Sequence, residues 1–275
     1  MTIALIINAA TGRMGKELVA SAVSDADVKV SGALARPNHP LQGTDIGYLI
    51  GANPQGTHIT DDLSAALDSD LAGQQLLIDF SLPDYSLACL RMALKSKTPM
   101  VIGTTGFSSE QQLEIEAAAQ QIPIMQASNY SLGVNTLIQL AVEATRILGK
   151  QADIEIFEAH HKHKIDAPSG TALSIGEAIA SSQGKKLDEI KTLQRAGERT
   201  EGEIGFSVMR AGEIVGTHEV TFALDGELMS IKHQAQSRQC FAQGAIQAAK
   251  WLFQQDLQGE KGLFSLQDML ADLKK

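Results

Sequence analysis

Aromatic side chains are scarce in this 275-residue sequence, where 8 Phe, 3 Tyr and 1 Trp make up 4% of the chain. A core therefore has to come from aliphatic residues, the Ile, Val, Leu and Ala of buried parallel strands and the helices that cover them. Cysteine is scarcer still. Cys89 and Cys240 fall in predicted helices with no CxxC or metal-ligand spacing, which fits free thiols in a reducing compartment rather than a disulfide framework. No apolar run approaches the ~20 residues of a membrane span, and Met1 to Ala10 passes into a strand pattern without a basic leader. Basic residues are outnumbered, 23 Lys and Arg against 32 Asp and Glu, for a net charge of −9. A chain that neutralises nucleic-acid phosphates shows the opposite balance. These absences predict a cytoplasmic protein with no membrane and no nucleic-acid partner. They also imply that any anionic ligand is met by positive charge gathered locally, because the global field repels it.

What is present is ordinary globular composition, 44% hydrophobic and 20% charged with 24 Gly and 7 Pro, in a length that suits two domains or one large α/β unit. Ile3 to Ala9 is an apolar run, followed by a helical pattern through Met14, Leu18, Ala22 and Val23 and a second strand at Val28 to Ala35. The beat repeats with strands at Leu76 to Phe80, Met100 to Ile102 and Ile122 to Gln126, and helices near 85–95 and 110–120. Strands at this spacing predict a Rossmann-like, doubly wound parallel sheet. After Ser131 the rhythm changes. A long amphipathic helix over 134–148 leads to a period-two strand at Asp153 to Ala159, a helix from about Ser169, and three β-rich segments at 205–209, 214–224 and 227–234. The turn signal Asp225-Gly226 joins the last two as a hairpin. This predicts an α+β domain with a mixed sheet, closed by helices near 238–254 and 266–273.

The first strand runs into Ala9-Ala10-Thr11-Gly12-Arg13-Met14-Gly15, the register of a dinucleotide-binding glycine loop with alanine in the first glycine position. At a helix N-terminus such a loop offers backbone N–H groups to a pyrophosphate, with Gly12 allowing close approach and Gly15 tight helix–strand packing. At the end of the second strand, where NAD enzymes carry a ribose-reading acid, the sequence is Ala33-Leu34-Ala35-Arg36-Pro37. It holds no carboxylate, and Arg36 is available to a 2′-phosphate, so NADPH is expected over NADH, with NADH possible. Asp79-Phe80-Ser81, at another strand end, suits either a place in the cofactor cleft or a capping role. His39, His58, His218 and His233 are isolated and read as surface or structural residues.

The densest chemistry is Glu158-Ala159-His160-His161-Lys162-His163-Lys164-Ile165-Asp166-Ala167-Pro168-Ser169-Gly170-Thr171-Ala172. A metal site is disfavoured by the adjacent lysines and the lack of Cys ligands. A solvated charged loop is the plain alternative. The third reading is an anion pocket, in which His and Lys heads join the N–H groups of Ser169, Gly170 and Thr171 at the start of the next helix.

With Val101-Ile102-Gly103-Thr104-Thr105-Gly106-Phe107, Asn129-Tyr130-Ser131-Leu132-Gly133-Val134-Asn135 and Arg210-Ala211-Gly212-Glu213-Ile214-Val215-Gly216-Thr217-His218-Glu219, these segments resemble the 4-hydroxy-tetrahydrodipicolinate reductase (dihydrodipicolinate reductase) family over nearly the whole chain. The resemblance implies an NAD(P)H-dependent reductase of a small dicarboxylate in the diaminopimelate route to lysine. It implies a homotetramer whose second domain builds the assembly. Domains are expected at 1–130 for the dinucleotide and 131–239 for substrate binding and oligomerisation, with 240–275 packing back on the first. The resemblance makes His160 the general acid with Lys164 its partner, and His161, Gly170 and Thr171 substrate-carboxylate ligands. The cofactor is expected at Ala9, Ala10, Thr11, Gly12, Arg13, Met14 and Arg36, at Gly103, Thr104 and Thr105, and at Ala127, Ser128, Asn129 and Tyr130. No metal is expected. The alternatives are another nicotinamide-dependent dehydrogenase of a small dicarboxylate or amino acid, of the aspartate dehydrogenase kind, and a non-catalytic dinucleotide sensor.

Overall fold

The computed structural model describes residues 2–67, 69–71 and 73–273. They form two compact units, one of Met1–Ser131 with Gln239–Lys275 and one of Leu132–Arg238. In chain order the first unit begins with β1 (Ile3–Asn8), α1 (Arg13–Val23), β2 (Val28–Leu34), β3 (Ile59–Thr60), α2 (Leu63–Ala66), β4 (Gln75–Asp79), α3 (Pro83–Ser96), β5 (Met100–Ile102), α4 (Ser109–Ala119) and β6 (Pro123–Gln126). The second unit holds α5 (Leu132–Leu148), β7 (Asp153–His160), α6 (Gly170–Ser182), α7 (Leu187–Ile190), β8 (Lys191–Thr192), β9 (Ile204–Arg210), β10 (Gly216–Leu224) and β11 (Glu227–Ala235). The chain then returns to the first unit with α8 (Gln239–Leu257), β12 (Gly262–Phe264) and α9 (Leu266–Asp272).

Among the described residues of the first unit, seven strands form one sheet in the order β12-β6-β5-β4-β1-β2-β3, every adjacent pair parallel. This is the doubly wound Rossmann-like arrangement. Strands β1 and β4 are buried along their whole length, as a sheet covered by helices on both faces requires. The helices start where local chemistry favours it: Pro83 opens α3, and Ser108 and Gln111 form a reciprocal capping box on α4. The order reverses at β1, which has β2 on one side and β4 on the other. Ligands of open α/β sheets bind beside the carboxyl ends of the strands at such a switch point.

The second unit carries a mixed sheet in the order β11-β10-β7-β9-β8. The hairpin pair β10–β11 and the pair β7–β10 are antiparallel, and β7–β9 and β8–β9 are parallel. Ile154, Ile156, Val220 and Phe222 from one face of this sheet pack with Leu137 and Ala141 of α5 and with Ile175 and Ile179 of α6. That face explains the period-two pattern of β7. Two details departed from expectation. The strand expected from Ile214 begins at Gly216, because the preceding turn carries Gly212 at φ 49°, whose carbonyl accepts from Lys162 N–H. The three-residue β12, which pairs with β6, is too short to give a periodic signal. Neither cysteine is in a disulfide; Cys89 lies in α3 and Cys240 in α8.

Candidate active site

In the first unit the loops expected to hold the dinucleotide all leave the carboxyl ends of β1, β2, β4, β5 and β6. The turn after β1 is tight. Gly12 N–H donates to Ala9 O (2.9 Å) and Ala10 N–H to Leu34 O (2.8 Å), and Ala9 itself sits at φ 55°, the left-handed region that glycine enters without strain. A Cβ at Gly15 would lie 2.2 Å from Ala9 O and 2.6 Å from Ala10 Cα, so no side chain fits there; one at Gly12 would lie 3.1 Å from Ala9 O. Ala10 is fully buried, and its N–H donates to Leu34 O. A cavity of about 320 Å³ opens here, lined by Asn8, Ala9, Thr11 and Gly12, by Ala35, Arg36 and His39 from the loop after β2, and by Ser81, Leu82 and Tyr85 after β4.

The loops are tied together by Asp79, which is completely buried. Asn8 Nδ2 and Ser81 Oγ each donate to its Oδ1 at 2.6 Å, and Thr104 Oγ1 donates to Oδ2 at 2.6 Å. Ser81 N–H in turn donates to Thr104 Oγ1 at 2.8 Å. Thr104 is therefore committed to the scaffold, whereas Thr105 is exposed. Gly103 is required by Phe80, whose ring would stand 2.2 Å from any Cβ. Tyr130 is buried, its hydroxyl donating to the carbonyls of Ile102 (2.9 Å) and Met125 (3.2 Å). Ala127 and Asn129 are half-buried and Ser128 is exposed, as are Arg13 and Arg36.

In the second unit β7 ends at His160, and the loop after it leads to Ser169, which caps α6 by accepting from Ala172 N–H (3.2 Å). Beneath this loop lies Glu158, fully buried. Its carboxylate accepts from Arg210 Nη1 (2.8 Å) and Nη2 (2.7 Å), from Ser169 N–H (2.9 Å) and from His160 Nδ1 (2.7 Å). Burial alone would favour the neutral acid, but these donors, His160 and Arg210 foremost, hold the Glu158 carboxyl down at about 2. The parallel register that pairs His160 with Arg210 puts the guanidinium within reach of both oxygens. With Nδ1 held by the carboxylate, the free ring nitrogen of His160 is Nε2. A Cβ on Gly216 would come 3.2 Å from it, so a hydrogen at that position keeps the space beside Nε2 open.

His218 sits beside this group, its ring edge-on to His160 with centroids 5.2 Å apart and its Nε2 3.2 Å from Ser169 Oγ. Burial first, and then the neighbouring His160, push His218 down to about 4, so it is neutral at pH 7. His161 Nδ1 is buried without a hydrogen-bond partner, and burial followed by the Arg238 charge holds this imidazole below its ordinary range. Lys164 Nζ lies 3.0 Å from Asp166 Oδ1. Asp166 is kept ionised below the usual carboxylate range against partial burial, by Lys164 and by the backbone N–H of Gly170. The lysine and the Gly170 amide, both expected to hold a substrate carboxylate, thus meet around a carboxylate of the loop itself. Thr171 follows in the first turn of α6. Glu158 and Arg210 were assigned no role from sequence, and His218, read there as a surface or structural residue, is buried, although all three stand in the motifs quoted above. Among the described residues no cluster of three or more metal-ligating side chains occurs.

Comparison with known proteins identifies the family. Residues 3–130 match the family model described as dihydrodipicolinate reductase, N-terminus, and residues 133–270 match the corresponding C-terminus. The chain belongs to the dihydrodipicolinate reductase family. Two curated relatives bear the name 4-hydroxy-tetrahydrodipicolinate reductase. That of Methylococcus capsulatus is 46% identical over 98% of this chain and 99% of its own length, and that of Magnetococcus marinus is 42% identical over the same shares. Among solved structures, a dipicolinate-bound dihydrodipicolinate reductase from Paenisporosarcina sp. TG-14 superposes with a TM-score of 0.74 at 22% identity, over 96% of this chain and 98% of that one. An amine dehydrogenase from Mycobacterium smegmatis follows at 0.64 and 13%, over 92% and 93%. At these identities the two structures speak for the fold alone. No described helix is long and apolar enough to cross a membrane.

Proposed function

We propose that this chain catalyses the NAD(P)H-dependent reduction of 4-hydroxy-tetrahydrodipicolinate to tetrahydrodipicolinate, the reaction named for its curated relatives. The observation that carries the reading is the Glu158–His160 pair, a buried carboxylate holding one imidazole nitrogen at 2.7 Å beside a lysine and a helix N-terminus. The dinucleotide supplies a hydride. Loss of water from the 4-hydroxy compound gives a ring carbon conjugated with an imine; adding a hydride there leaves an enamine, which takes up a proton from an acid suited to neutral pH. His160 Nε2 is assigned that proton. Glu158 fixes the ring through Nδ1, Lys164 partners the transfer, and His161 with the Gly170 and Thr171 amides holds the substrate carboxylate.

The cofactor reading rests on the 320 Å³ cavity at the switch point. Its glycine loop admits a pyrophosphate, and Leu82 and Tyr85, both exposed, offer apolar surface to the adenine. Gly103 to Thr105 and the main chain of Ala127 to Tyr130 belong with the nicotinamide end. Because Ala35 leaves the ribose-reading position without a carboxylate, Arg36 is assigned to the 2′-phosphate and NADPH is favoured. Following NADPH and NADH oxidation with enzymatically generated cyclic imine tests the activity; no turnover with either refutes it. Arg36→Ala is expected to raise KM for NADPH by about tenfold or more, the loss of a charged hydrogen bond, and to spare NADH. Equal loss with both sinks the Arg36 assignment. The homotetramer that the family resemblance implies would have an apolar contact available on the face of the second sheet opposite its helices, where Met209 and Leu228 are exposed. Light scattering of the purified chain measures its mass directly.

A further inference from the structure

The loop after β2 is built from two consecutive turns. His39 N–H donates to Arg36 O (3.2 Å) and Gln42 N–H to His39 O (3.0 Å), and each turn has proline in its second position, Pro37 and Pro40. Asn38, third in the first turn, stands at φ 57°, where a type II turn demands a positive angle. Proline presets one torsion and asparagine tolerates the other, so the turn is ordered before any ligand arrives. Its first and last residues, Arg36 and His39, are thereby brought together, and both line the cavity of the first unit. His39 Nδ1 is already used, accepting from Leu41 N–H at 3.2 Å. In the neutral ring that acceptor role places the proton on Nε2, which makes the remaining nitrogen a donor. None of the described residues lining the cavity is acidic, although the chain as a whole carries −9.

We propose that His39 is a specificity-determining residue that closes, with Arg36, a two-point clamp on the 2′-phosphate of NADPH. Arg36 contributes a permanent positive charge and His39 a directional N–H donor whose orientation is fixed through the opposite ring nitrogen. The proposal rests on the reading of this cavity as the dinucleotide site and adds a second phosphate ligand to it. A carboxylate on the ribose, the usual mark of NADH use, has no counterpart in the clamp.

The test is calorimetric binding of adenosine 2′,5′-bisphosphate and of 5′-AMP to the full chain, which differ in the 2′-phosphate and need no turnover. His39→Asn and His39→Asp both retain a side-chain acceptor for the N–H two residues on, the role Nδ1 now fills, so the loop is preserved while the outward ring donor is lost. His39→Asn is expected to weaken the bisphosphate by about tenfold, the worth of one hydrogen bond to a charged group, and to change 5′-AMP affinity less than twofold. His39→Asp should weaken the bisphosphate further, since it sets a like charge against the phosphate. A wild-type preference for the bisphosphate that survives both His39 variants but vanishes in Arg36→Ala overturns the clamp and leaves the cofactor site standing. Equal weakening of both probes overturns it as well. A wild-type chain that binds neither probe removes the cofactor site itself, and the clamp with it.

Discussion

Glu158 offers a perturbation whose size follows from two independent lines. Replacing it by Gln keeps the shape but strips the charge from a group that accepts four hydrogen bonds while fully buried. Arg210, itself only 18% exposed in its side chain, is left without its counter-ion, and breaking one partner out of a buried pair costs roughly 3–5 kcal/mol. Linkage supplies the second figure. The Glu158 carboxyl is held at about 2 against a usual 4.5, a depression worth about 3 kcal/mol. Because the folded-state value is the lower one, this stability is fully present above the unfolded value near 4.5 and is lost as the pH falls through about 2. The difference between wild type and Glu158→Gln should therefore shrink from about 3 kcal/mol at pH 7 to roughly 1.4 kcal/mol at pH 3. Hydrogen exchange of peptides spanning β7 and β9 reads the opening free energy of the second unit without assuming that both units unfold together. A loss below about 1 kcal/mol at pH 7, or a gap that stays constant down to pH 3, refutes the reasoning. Removing both partners, in Glu158→Gln with Arg210→Met, should restore part of the loss, because an unpaired buried charge is the larger penalty.

Ala9→Gly should stabilise the first unit by about 1 kcal/mol, the relief of a left-handed alanine less the extra chain entropy of glycine, and raise its Tm by roughly 2–4 °C; a lower melting temperature contradicts the strain inferred at φ 55°. For catalysis, the proposed roles require His160→Gln to lower kcat far more than it raises KM, and Lys164→Met to damage both, because the lysine is assigned to binding as well as to assistance. Steady-state kinetics with saturating cofactor separates them, and an unchanged kcat in the histidine variant excludes His160 as the acid.

The strands and the site loops were legible because each left a local mark. Fully buried β1 and β4 are continuous apolar runs, β7 alternates, and the glycine loop and histidine-lysine loop follow directly from strand ends. What the sequence hid depends on pairing. Glu158 becomes a hub because β9 brings Arg210 alongside His160 and β10 brings His218 opposite Glu158, and neither register can be read from one strand alone. An isolated histidine such as His218 therefore looked bland. Asp79, readable as a cleft residue or a cap, turned out to be the knot for three loops, a role set by contacts 71 and 25 residues apart in the chain. The stretch between β2 and β4 gave no periodic signal because a carboxylate rather than apolar packing organises part of it: Asp45 accepts from the N–H groups of Gly47, Gln55 and Gly56.

Asp166 gives the loop after β7 a resident competitor. Lys164 and the Gly170 amide already hold its carboxylate, and a tether of two residues keeps that carboxylate at an effective concentration on the order of millimolar or above. On the proposed reading, a substrate carboxylate bound there would enter by exchange, one anion for another, so most of the raw attraction would cancel and discrimination would fall to shape and to the second carboxylate. The same exchange would run in reverse after the chemistry, with Asp166 retaking the lysine as the product leaves.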